Sequence, residues 1–452
     1  MTPPAQQSPA SSSTSTIQEM SIGLGGLQTD ILYLLAQERV GVAGDSPYIL
    51  VGTLLRRATS IGLHRDPSFM ATKSVFAAEM RRRIWNTILE LAIQSSLTIG
   101  GPPLLSLDDF DTLPPANFDD DQLLADDPVP RPADHFSRIS IAIALRGTFP
   151  QRLAVVKFLN DLTSPVAYEK TLQLDAELRS AYKSLVQTLL AYMRSNTHPS
   201  PSHFDTRLVD LFMHRYFLCL HSPYMAAAFQ DSVYAYTRKV VVDSSLKIWR
   251  AACPSATECG DNRIASEINE LRRLIICTSG FFPTAAFHAS LFIALELRTQ
   301  LKDEKGLDAA PLRPDLLNVL RDSADWCLQT IKAGETSVKG YLLISIISTQ
   351  IDGLMRCLEK SQIDDLLFEA VDNVEARCLP ILRTMLAANP GGRSEQVPFE
   401  FGELLSADLP NTSSEDFGCF SFDLFPDFGN PDPMGWAFNV SGAVGVPSHW
   451  ST

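Results

Sequence analysis

The side chains in this sequence that could do chemistry fall into a few groups, and none of them assembles. His64-Arg65-Asp66 has the letters of a kinase catalytic loop and Asp416-Phe417-Gly418 those of a magnesium-binding triplet, in the order a kinase requires. A kinase also needs an asparagine soon after the first triplet, a glycine-rich loop and a strand lysine, and here the triplets are hundreds of residues apart. Gly23, Gly25 and Gly26 fail the dinucleotide pattern, because Gln28 stands where the third glycine belongs and no strand precedes them. The eight cysteines, Cys219, Cys253, Cys259, Cys277, Cys327, Cys357, Cys378 and Cys419, contain no Cys-x-x-Cys pair, which suggests neither a zinc site nor a disulfide framework. Most lie in helical patterns, as Cys327 does beside Trp326, and read as small buried hydrophobes in a reducing compartment. His64 has no second ligand at metal spacing and reads as a hydrogen-bonded turn residue. No nucleophile, base and orienter can be put together from sequence order, so the expectation is no catalysis and no cofactor in this chain.

Arg81, Arg82 and Arg83 could form a nuclear-localisation or phosphate-contacting patch. Consecutive helical residues point about 100° apart, so the three fan out. That favours a helix surface whose arginines pair with nearby acids such as Glu79 or the Asp108 to Asp111 loop. Trp85 reads as core rather than ligand contact. The formal charge of -14 repels a polyanion, whereas nucleic-acid readers carry a basic stripe, so unaided DNA binding by the chain is expected to be poor.

The elements that must position these residues are helical throughout. With 45% apolar and 20% charged residues over 452 positions, the composition is that of a soluble globular protein with room for one large or two ordinary cores. Residues 1–19, rich in Ser, Thr, Pro and Gln, form a flexible lead-in with neither the positive start nor the apolar stretch of a secretory signal, which places the protein inside the cell. Leu27, Ile31, Leu34 and Leu35 repeat at helical spacing; Ser46-Pro47 looks like a helix start, with Val51, Leu54, Leu55 and Ala58 as its buried stripe. A longer helix is predicted from Val75 to Thr98, with Ile84, Ile88 and Leu91 inward, Glu79 set to pair with Arg83, and Gly100-Gly101-Pro102-Pro103 as its stop. The acidic stretch Ser106 to Asp127 reads as a long surface connection. Helical periodicity resumes at Phe136, with Leu174, Leu178, Tyr182, Leu185 and Leu189 on one face, and continues to Ala388, where Ile363, Leu366, Leu367, Ala370, Val371 and Val374 mark a clear stripe ended by Gly391 and Gly392. The apolar run Phe281 to Leu295 is shorter than the ~20 residues of a membrane span and reads as a buried core helix. No sustained two-residue alternation occurs, so the expected class is all-α: one irregular multi-helix domain over 20–392 between the lead-in and a separate tail, 393–452.

The run Gly62-Leu63-His64-Arg65-Asp66-Pro67, then Glu79-Met80-Arg81-Arg82-Arg83-Ile84-Trp85, then Gly101-Pro102-Pro103, then Asp109 to Pro114, resembles the middle homology region of fungal zinc-binuclear-cluster transcription factors. Leu220-His221-Ser222-Pro223-Tyr224 resembles a later element of the same domain, with Ser222 where an arginine is usual. The resemblance is strongest over 27–125 and fades through about 300. It implies a nuclear regulator of transcription, and a middle domain acting as an inhibitory or ligand-responsive body between a DNA-binding head and an activating tail. The family's head holds two zincs with six cysteines and places a short helix in the major groove. No part of that head occurs here, so zinc is expected only if a missing N-terminal cluster exists. The helices that precede the Leu27 segment in the family have no counterpart either, and the sequence reads as truncated, split or started late.

The tail has no lysine or arginine after Arg393. Phe417, Phe420, Phe422, Phe425, Phe428 and Trp436 interleave with Asp416, Asp423, Asp427 and Asp432, the acidic-aromatic composition of disordered activation segments. Repulsion among the carboxylates keeps the aromatics solvated until a coactivator groove accepts them, although Pro426 interrupts any helix spanning Phe417 to Phe428. The expected partners are the transcription machinery or a coactivator, an intact family member or a second copy, DNA only indirectly, and no membrane. The alternative is a ligand- or partner-binding helical module that modulates an intact factor without touching DNA.

Overall fold

The computed structural model describes residues 23–37, 46–70, 74–161, 167–195, 199–254, 262–278, 280–303 and 312–388; the lead-in and the tail with its aromatic residues lie outside them. Among the described residues every regular element is helical and no strand occurs, as the periodicity requires. Two compact units divide the chain, one ending at Thr206 and the other beginning at Arg207, where the sequence suggests one helical region over 20–392.

The first unit contains α1 (23–37), α2 (Pro47–Ser60), α3 (Val75–Ile99), the single-turn α4 (Asp120–Leu123), α5 (Ser140–Arg146), α6 (Phe149–Leu159) and α7 (Tyr168–Arg194). Leu27, Ile31 and Leu34 of α1 are buried, whereas Leu35, predicted on the same face, is exposed. Its neighbour Leu34 already fills the inward position, and the next residue turns about 100° away. Pro47 opens α2, preceded by Ser46 in the N-cap position, although the serine side chain makes no capping bond. Val51, Leu54, Leu55 and Ala58 are buried against α3. α3 starts with the Ser74 hydroxyl accepting from the Ala77 N–H at 3.2 Å and stops at Gly100. Ile84, Trp85, Ile88 and Leu89 form its inner face, while Leu91 is only half-buried. α6 packs on both α3 and α7, and α7 presents Leu174, Leu178, Leu185 and Leu189 inward, with Tyr182 half-buried at the margin.

The second unit runs from α8 (His203–His221), whose first turn contains the division, through α9 (Met225–Ala228), α10 (Ala235–Ala252), α11 (Asn262–Cys277), α12 (Phe281–Asp303), α13 (Pro314–Lys332), α14 (Lys339–Met355) and α15 (Lys360–Ala388). α12 is its axis, touching α10, α11, α13 and α14. A helix apolar on every side must be enclosed on every side, and α12 meets that demand with Ala285, Ala286, Ala289 and Ala294 fully buried among larger residues, which lets neighbouring helices approach closely. This is the run read as a core helix; among the described residues no single helix is long and apolar enough to cross a membrane. Six cysteines are described, all free. Cys219, Cys327 and Cys378 are buried as expected, Cys253 and Cys277 half-buried, and Cys357 exposed. Burial pushes the Cys253 and Cys327 thiols up to about 12, so neither is a nucleophile at neutral pH.

The corner between α14 and α15 carries its own strain. The Leu358 N–H bonds the Gly353 carbonyl at 3.1 Å and the Cys357 N–H the Leu354 carbonyl at 3.0 Å, a Schellman closure whose left-handed residue is Cys357, φ 53°, where glycine is usual. A Cβ on Gly353 would lie 2.9 Å from Cγ1 of buried Ile363 on α15. Opposite effects follow. Cys357→Gly relieves the left-handed strain and is expected to raise stability by about 1 kcal/mol. Gly353→Ala overpacks the helix contact and is expected to lower it by about 1 kcal/mol despite alanine's better helix propensity. Denaturant midpoints of the full-length chain measure both.

Candidate functional site

The motif residues of the first unit converge on one buried carboxylate. α2 ends in a Schellman turn, with Gly62 at φ 77° and the Leu63 N–H bonding the Ala58 carbonyl at 2.9 Å, which drives Leu63 into the core. The carbonyls left over at this helix end are taken by Arg81, whose Nη2 donates to Gly62 O at 2.5 Å and Ile61 O at 3.2 Å. Four residues on, Asp66 is fully buried. Its carboxylate accepts Nε and Nη2 of Arg82 at 2.9 and 2.8 Å, the Ser68 N–H at 2.9 Å and the Leu113 N–H at 3.0 Å. Burial acts to raise the carboxyl, but the Arg82 fork and the Ser68 and Leu113 donors outweigh it and hold Asp66 far below the usual carboxylate range.

The acidic connection is stitched into the same centre. Asp111 accepts the Asp66 N–H at 2.7 Å and Arg65 Nε at 2.9 Å, its own N–H bonds the His64 carbonyl at 3.0 Å, and the Thr112 hydroxyl bonds the Leu63 carbonyl at 2.6 Å. Buried Glu79 accepts the Ala116 N–H at 3.0 Å and Arg83 Nε at 3.4 Å; desolvation raises its pKa. Arg83 goes on to Asp120 at 2.7 Å and the Phe118 carbonyl at 2.6 Å. Two corrections follow. The stretch 106–127 does run over the surface at most positions, but it is anchored inward: Thr112, Phe118 and Leu123 are buried, because α3 and the turn after α2 satisfy its backbone there. Arg81 is not on the helix surface, and the acid that holds Arg82 is Asp66 from the preceding turn rather than Glu79 or the 108–111 loop.

Trp85 lies in the core, its ring edge-on to Phe110 at 5.7 Å and 6.5 Å from His64. The His64 backbone carbonyl is bonded as a turn residue's should be, but its Nδ1 is buried without a hydrogen-bond partner. Arg146 rests on the Phe110 and Phe149 rings at 5.0 and 5.1 Å, and burial pushes it down to about 10. Gly101 and Pro102 lie at the far end of α3, where the Tyr48 hydroxyl donates to the Pro102 carbonyl at 2.7 Å and a Cβ on Gly101 would crowd the Tyr48 ring at 3.3 Å. Pro114 is exposed. His221 and Pro223 belong to the second unit, where His221 Nδ1 meets the Thr237 hydroxyl at 2.9 Å and Pro223 lies in the single turn Ser222–Tyr224 after α8. Phe417, Phe420, Phe422, Phe425, Phe428 and Trp436 lie outside the described residues.

Sequence reasoning missed one pair, Arg152 with Glu90, joined at 2.7 and 2.6 Å from α6 to α3 across 62 positions. The available signal was an arginine in register with Phe149 and Val156 on a buried stripe, which demands a buried acid. Beside the clamp lies an open cleft of about 300 Å3 lined by Pro67, Ser68, Met70, Val75, Ala78, Glu79, Arg82 and Phe118. Chemically the arrangement is a clamp. The Asp66 lone pairs are occupied, all three arginines are bonded within the protein, and among the described residues no group of three His, Cys, Asp or Glu could hold a metal.

Residues 32–208, almost the whole of the first unit, match the fungal specific transcription factor domain. The chain is 31% identical over 399 residues to the transcription factor opdR of Penicillium oxalicum, covering 82% of this chain and 49% of that one. It is 30% identical to the transcription factor lepE of Aspergillus flavus, over 79% of this chain and 44% of that one, and 30% identical to the aspyridones cluster regulator apdR of Emericella nidulans, over 68% and 43%. The chain therefore spans less than half the length of each of these curated relatives. No solved structure matches. An all-helical body built round an inward-facing acid–arginine clamp is thus the fungal specific transcription factor domain. The chain carries that domain, its relatives include proteins named as Zn(2)-C6 fungal-type transcription factors, such as mpsB of Macrophomina phaseolina, and the zinc-cluster module itself is not matched in this chain.

Asp66→Asn keeps the shape but loses the charge that holds Arg82. The full-length chain is expected to lose about 3 kcal/mol at pH 7, read by chemical denaturation. Because the folded Asp66 carboxyl lies below its unfolded value of about 3.9, its contribution is complete above that pH and is lost as pH falls through the folded value. Glu79, raised by burial, works in the opposite sense, its charged form costing stability as pH rises through its folded value. Below about pH 4 the wild-type chain should therefore lose stability more steeply than Asp66→Asn.

Proposed function

We propose that this chain regulates transcription of a gene set for secondary metabolism, in the nucleus, with the helical body as scaffold and the 393–452 tail as activating segment. The observation that carries the reading is the match to the fungal specific transcription factor domain, together with relatives named as regulators of biosynthetic gene clusters, such as apdR and the equisetin cluster transcription factor eqxF of Fusarium heterosporum. The body is not the DNA reader: the arginines that could contact phosphate are bonded to Asp66, Asp120 and backbone carbonyls, and the net charge is -14. Sequence-specific contact comes through a zinc-cluster module, and the tail's aromatics engage a coactivator. The role is regulatory and not catalytic.

A second reading is favoured by the same charge. The body works as a partner module, pairing with an intact family member or a second copy and touching DNA only through it. Residues 395–452 fused to an unrelated DNA-binding module should activate a reporter, and replacing Phe417, Phe420 and Phe428 with alanine should reduce that activity at least several-fold. A fusion with no activity rejects the tail's role. Loss of the gene should lower transcripts of one clustered gene set; an unchanged transcriptome rejects the regulatory reading.

A further inference from the structure

Arg215 lies in the middle of α8, within the second unit, and only 1% of it is exposed. Nη1 donates to the Phe281 carbonyl at 2.9 Å, and the guanidinium carbon lies 4.5 Å from the centre of the Phe281 ring. Nε and Nη2 are buried with no hydrogen-bond partner. In two other arginines of the chain this same edge of the fork holds a carboxylate: Arg82 grips Asp66 through Nε and Nη2 at 2.9 and 2.8 Å, and Arg238 grips Glu296 through Nε and Nη2 at 2.8 and 3.0 Å; buried Arg81, by contrast, bonds backbone carbonyls and also lacks an acid. Among the described residues Arg215 has no such acid. A buried guanidinium remains protonated and is strongly disfavoured unless an anion balances it.

The carbonyl that Arg215 holds belongs to the first residue of α12, a helix of 23 residues. At this helix start Pro283 has no N–H and the Thr284 N–H bonds the Gly280 carbonyl at 3.2 Å, which leaves the N–H groups of Phe281 and Phe282, together with the positive end of the helix dipole. Two positive features therefore meet at one point. The surroundings are aromatic, with Phe212, Phe281 and Phe282 in mutual ring contact at 5.3 to 5.8 Å. Buried His288, pushed down to about 3 by desolvation with the Arg215 charge adding to it, is neutral and supplies no second cation.

We propose that Arg215 and the first turn of α12 form a receptor for one carboxylate carried on a small apolar or aromatic molecule. One fork edge and one helix terminus match a single negative charge in planar, bidentate form, and the phenylalanine surroundings match an apolar body. A phosphate dianion would require further cations. The inference stands apart from the transcriptional reading and could fail or hold without it.

Thermal unfolding of the full-length chain with benzoate, phenylacetate and hexanoate as probes, and benzamide and inorganic phosphate as controls, tests it. At least one carboxylate should raise Tm by about 3 °C at tenfold above half-saturation, and neither control should. Arg215→Met should abolish the response while leaving the ligand-free Tm no lower than wild type, because an apolar chain of similar length replaces an uncompensated charge. Arg215→Lys, which keeps the charge but not the fork, should weaken the response at least tenfold in concentration. No response to any carboxylate, a response that survives in Arg215→Met, or an equal response to phosphate overturns the proposal. A destabilised or unfolded Arg215→Met overturns it too, since Arg215 would then serve only its bond to Phe281.

Discussion

The first unit depends on taking one carboxylate out of water. Asp66 is fully buried, and removing a carboxylate from solvent costs several kcal/mol unless its lone pairs are met by well-placed donors. The donors here come from three places: Ser68 in the turn itself, Arg82 on α3, and Leu113 in the acidic connection. Satisfying one charge therefore fixes three otherwise independent segments, because each must deliver its N–H to the same two oxygens. Asp111 adds a return tie, accepting the Asp66 N–H and Arg65. A buried ion pair of this kind contributes uncertain net stability but strong geometric selection, since any other arrangement of the turn leaves a charge unpaired.

That constraint explains why three consecutive arginines do not make a basic surface. Each leaves α3 in a different direction and meets a different need: Arg81 the carbonyls at the end of α2, Arg82 the Asp66 carboxylate, and Arg83 the Glu79 and Asp120 carboxylates with the Phe118 carbonyl. The helical fan that argues against a phosphate-binding face is the same property that lets one short run reach three partners. The domain's cations are thus internal fasteners, and the acidic surplus of the chain is left without a basic face in this motif.

Much of this fold was legible because helices advertise a buried stripe. Val51 to Ala58, Leu174 to Leu189 and the apolar run from Phe281 are buried where their spacing places them. The all-α class follows from the absence of a two-residue period, and the ends of α3 from Ser74 and Gly100. What spacing could not show is what lies between helices. The connection after α3 looks like surface by composition, since its aspartates and prolines break every period, yet those same residues supply Asp111 and the backbone donors that meet Asp66 and Glu79. Periodicity measures which face is apolar and is silent on a polar residue buried with its partner. That is why spacing alone puts Arg81 on the helix surface and does not pair Arg152 with Glu90.

The buried arginines of the chain divide on this point. Arg152 is fully buried and every nitrogen is used, with both carboxylate oxygens of Glu90, the Thr148 hydroxyl and the Leu145 carbonyl as acceptors. It behaves as a structural charge, balanced where it stands. Arg215 is equally buried but has one carbonyl, one aromatic face and no acid. An internal charge balanced by the chain itself fixes a fold, whereas one balanced from outside makes stability depend on what arrives. In the unit matched by the family domain, Arg82, Arg83 and Arg152 are balanced by Asp66, Glu79, Asp120 and Glu90, while buried Arg81 is held by the Ile61 and Gly62 carbonyls alone. In the second unit, one is left open beside the first turn of the helix round which that unit is packed. An anion meeting Arg215 would act at the start of α12, the helix that α10, α11, α13 and α14 all touch, rather than at a surface loop.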